Sequence, residues 1–519
     1  MPRFQPFRAD RVPDPDRGTA FRFVQAYFDH SYDAVFGVLH GPKFKARLEA
    51  QFDNQEGFQI EDPSWFALRN VVYALGCRCI LAADDNVSFV EAEAQAKPYF
   101  HNALSAFSEI IFGHSGFTAI QALVLMTFYA EGLGNAAIEF PLCSNAVQLA
   151  QARGLHRAPS KSWALSESDS LSRSWLWWTI YCLEKQIAFR SGRPSLIDDN
   201  NISTPIPTKA PPGSSMDVDI FTLIIRNARI SAQVSSRIMS VKAFGQSSTQ
   251  IIETIHDIHS QLEKLLESIP AELRIGTSVS THDCMSAQRQ IPMMYLHCAI
   301  FGSFMATHSI LFYPWISARF GTDTDPSFQE QITASSEIVA NAARQIILML
   351  RKLTTDAAVP AWLAFYFPIY AHVNLFVHTL MYPTAPNAIG DLALMDICAG
   401  HFGHVEHITG SEIAFHFPRE SAALCAKVVK AVKNTDRVNL TTVPATPQAS
   451  GTTPDCSRPN ESGRGEALEP LEPCELRSRA AQGNPFDALE FDMESWNFFS
   501  SIDITDNFTP NLMDIASAL

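Results

Sequence analysis

Residues 172–207, SRSWLWWTIYCLEKQIAFRSGRPSLIDDNNISTPIP, constrain the fold more than any other part of the chain. Leu176, Ile180, Leu183 and Ile187 recur at i, i+4, i+7 and i+11, and Trp175, Trp178, Cys182 and Phe189 form a second apolar row. A helix apolar on nearly every side must be buried on nearly every side, so other elements have to surround it. Its end is marked by Arg190, which suits the negative end of the helix dipole, by Gly192, which can adopt the left-handed conformation, and by Pro194, which cannot continue the helix. Asp169 or Ser170 is expected to cap its start. An extended segment follows, anchored by Ile197 and Ile202 and kept from helix by Pro205 and Pro207.

The surroundings read as helices too. After a charged, proline-rich lead over 1–18, expected to be flexible, apolar positions recur at helical spacing on both sides of His40-Gly41-Pro42, then over 65–82, 91–111, 117–131 and 135–152. Glycines at 113, 116, 132, 134 and 154 punctuate these stretches, and such short connections imply antiparallel neighbours. A Pro/Gly/Ser segment at 205–215 reads as a surface crossover to a second helical half, expected over 220–241, 249–269, 287–312, 329–354, 362–381, 389–407 and 418–432. No stretch alternates as a strand would. The expected fold class is all-α.

Within this pattern, Arg173, Trp177, Trp178, Tyr181 and Glu184, followed by Gly192, Arg193, Pro194, Ile197 and Asp198, resemble the signature of the fungal-specific transcription factor domain, the regulatory middle region of fungal zinc-cluster activators. The run NAVQLAQARGLHR at 145–157 resembles the same family's alanine-rich helix closing on Gly-Leu-His-Arg. Ser174 departs from a position that is usually basic in the family, and Glu184 from one that is usually aspartate. The resemblance implies one large multi-helical regulatory domain over 19–433. It also implies that zinc would be held only by a cysteine cluster ahead of this domain. That C-x-x-C-rich cluster is not in the sequence, so the chain is expected to reach DNA through a DNA-binding partner, unless an upstream exon supplies the cluster.

Charge agrees with indirect DNA contact. The formal net charge is −15, and no basic run offers the clustered Lys and Arg that neutralise phosphates. The ten cysteines, Cys77 and Cys79 being the one close pair, are scattered through mostly apolar contexts and read as reduced core cysteines. No signal peptide is visible at the start. Long uncharged stretches at 290–318 and 357–390 are interrupted by Pro and His and read as buried core, not as membrane spans.

From 434 the composition changes. Residues 434–483 are rich in Thr, Pro, Ser and Gly and are expected to be a disordered linker. Residues 484–519 contain no Lys or Arg and interleave acids with Phe486, Phe491, Trp496, Phe498 and Phe499, the acidic-hydrophobic pattern of a disordered activation segment.

Chemistry finds little purchase. His401, His404 and His407 are spaced i, i+3, i+6 without the i, i+4 pairing of helical zinc sites, and Gly400 and Gly403 weaken the helix that would carry them. No phosphate loop, nucleophile elbow or zinc-hydrolase motif occurs, so neither catalytic residues nor a metal site are assigned. Arg173, Arg190 and Arg193 crowd an apolar helix and, if buried, need partners, for which Glu184, Asp198 and Asp199 are nearest in sequence; a ligand carboxylate is the competing occupant. The expected function is a nuclear transcriptional regulator of a metabolic or secondary-metabolite gene set. Its expected partners are a coactivator or the transcription machinery, a homo- or heterodimeric DNA-binding factor and a small-molecule inducer. The alternative is a small-molecule-binding protein or enzyme that has reused the helices.

Overall fold

Capping and burial together define the helices. The computed structural model describes residues 11–53, 62–113, 116–134, 136–210, 217–274, 287–317, 326–353, 355–360, 362–410 and 415–441, with no strand among them. The first half contains α1 (Arg17–His30), α2 (Gly41–Asp53), α3 (Pro63–Ala82), α4 (Phe89–Ser105), α5 (Phe107–Phe112), α6 (Phe117–Leu133), α7 (Ala136–Ala152) and α8 (Glu167–Ser191). The second contains α9 (Val218–Arg237), α10 (Ser248–Glu267), α11 (Ala287–Phe312), α12 (Pro314–Ser317), α13 (Pro326–Met349), α14 (Phe367–Met381), α15 (Ala388–Ile408) and α16 (Phe417–Thr441). Ser88 with Glu91 and Ser247 with Gln250 form capping boxes that satisfy the first free N–H groups of α4 and α10. Asp62 caps α3 ahead of Pro63, whose missing N–H costs nothing in the first turn.

One hydrophobic cluster extends from Ala20 in α1 to Cys425 in α16, so both halves share a core. Helices α1 and α3 cross closely at Gly76. A Cβ on Gly76 would lie 1.9 Å from the Phe23 carbonyl oxygen, so only glycine allows that approach. The seven cysteines at 77, 79, 143, 182, 298, 398 and 425 are free and buried. Among the described residues two helices are long and apolar enough to cross a membrane, Pro63–Ala82 and Gln290–Phe312, and 83% and 89% of their apolar windows lie inside the protein. The other uncharged stretch, 357–390, is not one helix. It is divided by a π-helical turn at Trp362–Tyr366 and by the break after Met381.

Several boundaries differ from the sequence reading: α1 begins inside the lead expected over 1–18, and α9 and α13 end before the expected 241 and 354. The helix expected over 91–111 is two, divided at Ala106, which is fully buried and whose N–H bonds to Ala103 O in a tighter turn. The helix expected over 362–381 begins with the π turn because Pro368 has no N–H to offer Ala364 O four residues earlier. Gly400 and Gly403 sit inside an unbroken α15, and α16 continues through 434–441 to Thr441. The linker from 442 and the aromatic residues Phe486, Phe491, Trp496, Phe498 and Phe499 lie outside the described residues.

Candidate functional site

The central helix, α8, is capped at Ser166, whose hydroxyl accepts from Asp169 N, three residues ahead of the start expected from sequence. It ends as its residues require, with Gly192 at φ 64° and ψ 12° receiving the chain. Trp175, Trp177 and Trp178 are all 0% exposed. Trp175 stacks on Phe221 of α9 at 4.4 Å between ring centroids, and Trp178 meets Tyr181 edge-on at 5.1 Å.

The segment after α8 returns along the helix as a strap, and α8 holds it by side chains bonded largely to main chain. Trp175 Nε1 donates to Lys209 O at 3.0 Å, and Trp178 Nε1 and Ser174 Oγ both donate to Pro205 O, at 2.9 and 2.5 Å. Further along, Lys185 Nζ reaches Ile197 O at 2.7 Å and pairs with Asp199 at 2.9 Å, while Tyr181 OH donates to the same carboxylate at 2.9 Å. Glu184 accepts from Leu196 N at 2.6 Å and from Ser195 Oγ at 2.9 Å. Burial raises the Glu184 carboxyl above its usual range, and these donors with Lys185 oppose the shift. Asp198 caps the turn at Asp199–Asn201, bonding Asn200 N at 3.0 Å.

The two sequence runs that resemble the family's motifs meet here. Gly154, at φ +66°, ends the helical run, and His156 O then accepts from Ser203 N at 2.9 Å and from Thr204 N at 3.1 Å. Arg173 donates to Arg153 O at 2.9 Å and lies 5.4 Å over the Trp163 ring; burial lowers its pKa.

The arginines do not converge, and their partners differ from those nearest in sequence. Arg190 pairs with Glu131 of α6 at 3.0 Å and with Glu139 of α7. Arg193 lies 4.3 Å over the Phe140 ring, and Asp199 serves Lys185 instead. Arg173 and Arg190 stand about 25 Å apart along α8 at the helical rise of about 1.5 Å per residue, so one carboxylate cannot bridge them. Pro194 ends the helix and takes no part in the polar ladder.

The histidine triplet is divided. His401 is turned inward and donates from Nε2 to Ala364 O at 2.6 Å, the carbonyl that Pro368 leaves without a helical donor. Burial lowers the His401 pKa, while His404 and His407 are exposed. Among the described residues no group of three or more His, Cys, Asp or Glu is placed to hold a metal ion.

A cleft adjoins the strap-holding face of α8. It has about 390 Å³ of empty space, including its mouth to solvent, between α8, α9, α11 and the π turn leading into α14. Phe189, Tyr295, Tyr366 and Phe367 supply aromatic walls, and Gln186, Asn227 and Ser303 supply polar atoms. Sequence reasoning missed these three, which carry no motif and are brought together only by the packing of α8, α9 and α11. It also missed Lys185, whose signal was a charge placed among apolar positions.

An all-helical domain wrapped around a signature helix and its strap is thus the class of protein the structure defines. Residues 24–269 match the model of the fungal specific transcription factor domain. It is similar to the ABC-transporter-regulating transcription factor of Aspergillus fumigatus, 27% identical over 403 residues that cover 74% of this chain and 44% of the relative. It is also similar to the Fusaridione A cluster transcription factor of Fusarium heterosporum, 25% identical over 78% of this chain and 75% of the relative. A third relative is the Lactose regulatory protein of Kluyveromyces lactis, 26% identical over 57% of this chain and 32% of the relative. The chain spans less than half the length of the first and third of these curated relatives.

Proposed function

We propose that this protein is a nuclear transcriptional regulator in which the helical domain positions the acidic, aromatic segment 484–519 as an activation surface. The observation that carries the reading is the match of 24–269 to a transcription factor domain, together with relatives named as transcription factors across most of this chain's helical length. The net charge of −15 favours contact with DNA through a partner, a DNA-binding factor with which the chain forms a dimer. Two relatives' names, one for ABC transporters and one for a fusaridione cluster, favour a metabolic or secondary-metabolite gene set. A coactivator and a small-molecule inducer complete the set of partners.

The tail supplies the test. Asp487, Glu490, Asp492 and Glu494 repel one another and keep Phe486, Phe491, Trp496, Phe498 and Phe499 available, so a coactivator groove can bury them weakly and reversibly. Fused to an unrelated DNA-binding module, 484–519 should raise reporter output about tenfold or more. Changing Trp496, Phe498 and Phe499 together to alanine should abolish that rise. A silent tail, or one indifferent to the triple change, removes the activation reading and leaves docking onto the helical domain. The second reading, a small-molecule-binding protein built on the same helices, is favoured by the cleft beside α8.

A further inference from the structure

The cleft beside α8 carries an unmet hydrogen-bonding demand. Gln186 Nε2, Asn227 Oδ1 and Ser303 Oγ are buried, have no hydrogen-bond partner, and belong to residues that line the same cavity. Asn227 is 4% exposed and Ser303 1%. Leaving such atoms unpaired costs about 1–3 kcal/mol each, and removing their polarity would be the simpler way to pack a core. The neighbouring Ser231 Oγ, by contrast, is satisfied by Asn227 O at 2.9 Å. The walls around the three atoms are aromatic, and the cavity opens beside the π turn at Trp362–Tyr366, a backbone feature frequent at functional sites.

From this arrangement we infer that the cleft is a binding site for a small, flat, uncharged molecule that presents a hydrogen-bond donor beside an acceptor, as a lactam or other amide does. Gln186 Nε2 calls for an acceptor, Asn227 Oδ1 for a donor, and Ser303 Oγ can meet either. Charge argues against an anion: Arg190 on the cavity wall is already held by Glu131 and Glu139 and is not free to meet one. The inference deepens the inducer part of the proposed function by naming its site and chemical class. It also gives a ligand a physical lever. Gln186 and Asn227 belong to the region that matches the family, whereas Ser303 and Tyr366 come from beyond residue 269, so an occupant would tie the two halves together.

The test uses the full chain and two five-membered rings of nearly equal size. 2-Pyrrolidinone carries donor and acceptor together; cyclopentanone carries the acceptor alone. Titrations followed by ligand-detected NMR should give 2-pyrrolidinone a millimolar Kd, in keeping with so few atoms, and cyclopentanone at least fivefold weaker binding. Ala299→Leu, which fills the cavity, should abolish saturable binding while the far-UV circular dichroism stays unchanged. Ser303→Ala, which should fold at least as stably, should weaken 2-pyrrolidinone at least threefold. No saturable binding, equal affinity for the two rings, or binding indifferent to both variants would overturn the inference and leave water as the occupant. Reporter output plays no part in this readout, so a silent tail and an empty cleft are separate failures.

Discussion

Replacing Trp178 tests whether the signature helix serves mainly to hold the strap. The side chain is 0% exposed, meets Tyr181 edge-on, lies 4.9 Å beneath the Arg229 guanidinium and donates to Pro205 O at 2.9 Å. Trp178→Ala removes all of this and should cost about 3–5 kcal/mol, the range for deleting a large buried aromatic from a packed core. Trp178→Phe keeps much of the ring and loses the indole N–H, so about 1–2 kcal/mol is expected. Pro205 O is not orphaned by that change, because Ser174 Oγ still donates to it. Only the double variant Ser174→Ala, Trp178→Phe leaves the carbonyl without either donor, so its cost should exceed the sum of the single costs by about 1 kcal/mol. Urea unfolding followed at 222 nm measures Trp178→Ala, Trp178→Phe, Ser174→Ala and the double variant against the parent, and hydrogen exchange over 195–209 should quicken first in the double variant. A cost below about 1 kcal/mol for Trp178→Ala, or strict additivity in the cycle, would refute the reasoning.

Two further outcomes follow from buried histidines. Burial lowers His308 and His372 from 6.5 to about 3, His308 also facing His259 and His256. The unfolded chain therefore takes up these protons first, so stability is whole above about pH 6.5 and falls as pH drops toward 3, by up to about 1.4 kcal/mol per pH unit for each histidine. His372→Gln should flatten the measured slope by about one proton's share, and an unchanged slope would count against the assignment. His401→Leu removes the imidazole donor to Ala364 O, whose i+4 partner Pro368 has no N–H, and should cost about 1–3 kcal/mol by thermal unfolding, whereas His404→Leu, at an exposed position, should cost under about 0.5 kcal/mol.

The helices were legible because their apolar periodicity is a local property of the sequence. The Ala287–Phe312 helix was read to the residue, and most others to within a turn. The break at Ala106 was not legible, since nothing in Ala-Phe-Ser disfavours helix and tertiary packing decides it. Pro368 was visible, but its consequence was not, because the freed Ala364 carbonyl is satisfied by His401 from another helix. The same limit applies to the arginines. Glu131 and Glu139 lie far from Arg190 in sequence, and proximity along the chain favoured Asp198 and Asp199 instead. The cleft was beyond sequence reasoning for a similar reason, since Gln186, Asn227 and Ser303 share no spacing.

What the motif encodes can be read from the direction of its bonds. Side chains of α8 reach mainly the main chain of the strap, at Leu196 N, Ile197 O, Pro205 O and Lys209 O. Identity therefore matters on the helix, where the donor or acceptor is a particular side chain, and much less along the strap, where any residue supplies the same carbonyl or amide. The main exceptions on the strap are residues whose own side chains bond, Ser195, Asp198 and Asp199. Positions advance by about 100° per residue around a helix, so Lys185 can face the strap while Gln186 faces the cleft. One helix thus carries both Lys185, which holds the strap, and Gln186, which lines the cleft about 100° further round. A molecule that settled Gln186 would bear directly on the element that Lys185 uses to hold the strap, which places a strap-holding side chain and an unpaired buried polar group one residue apart.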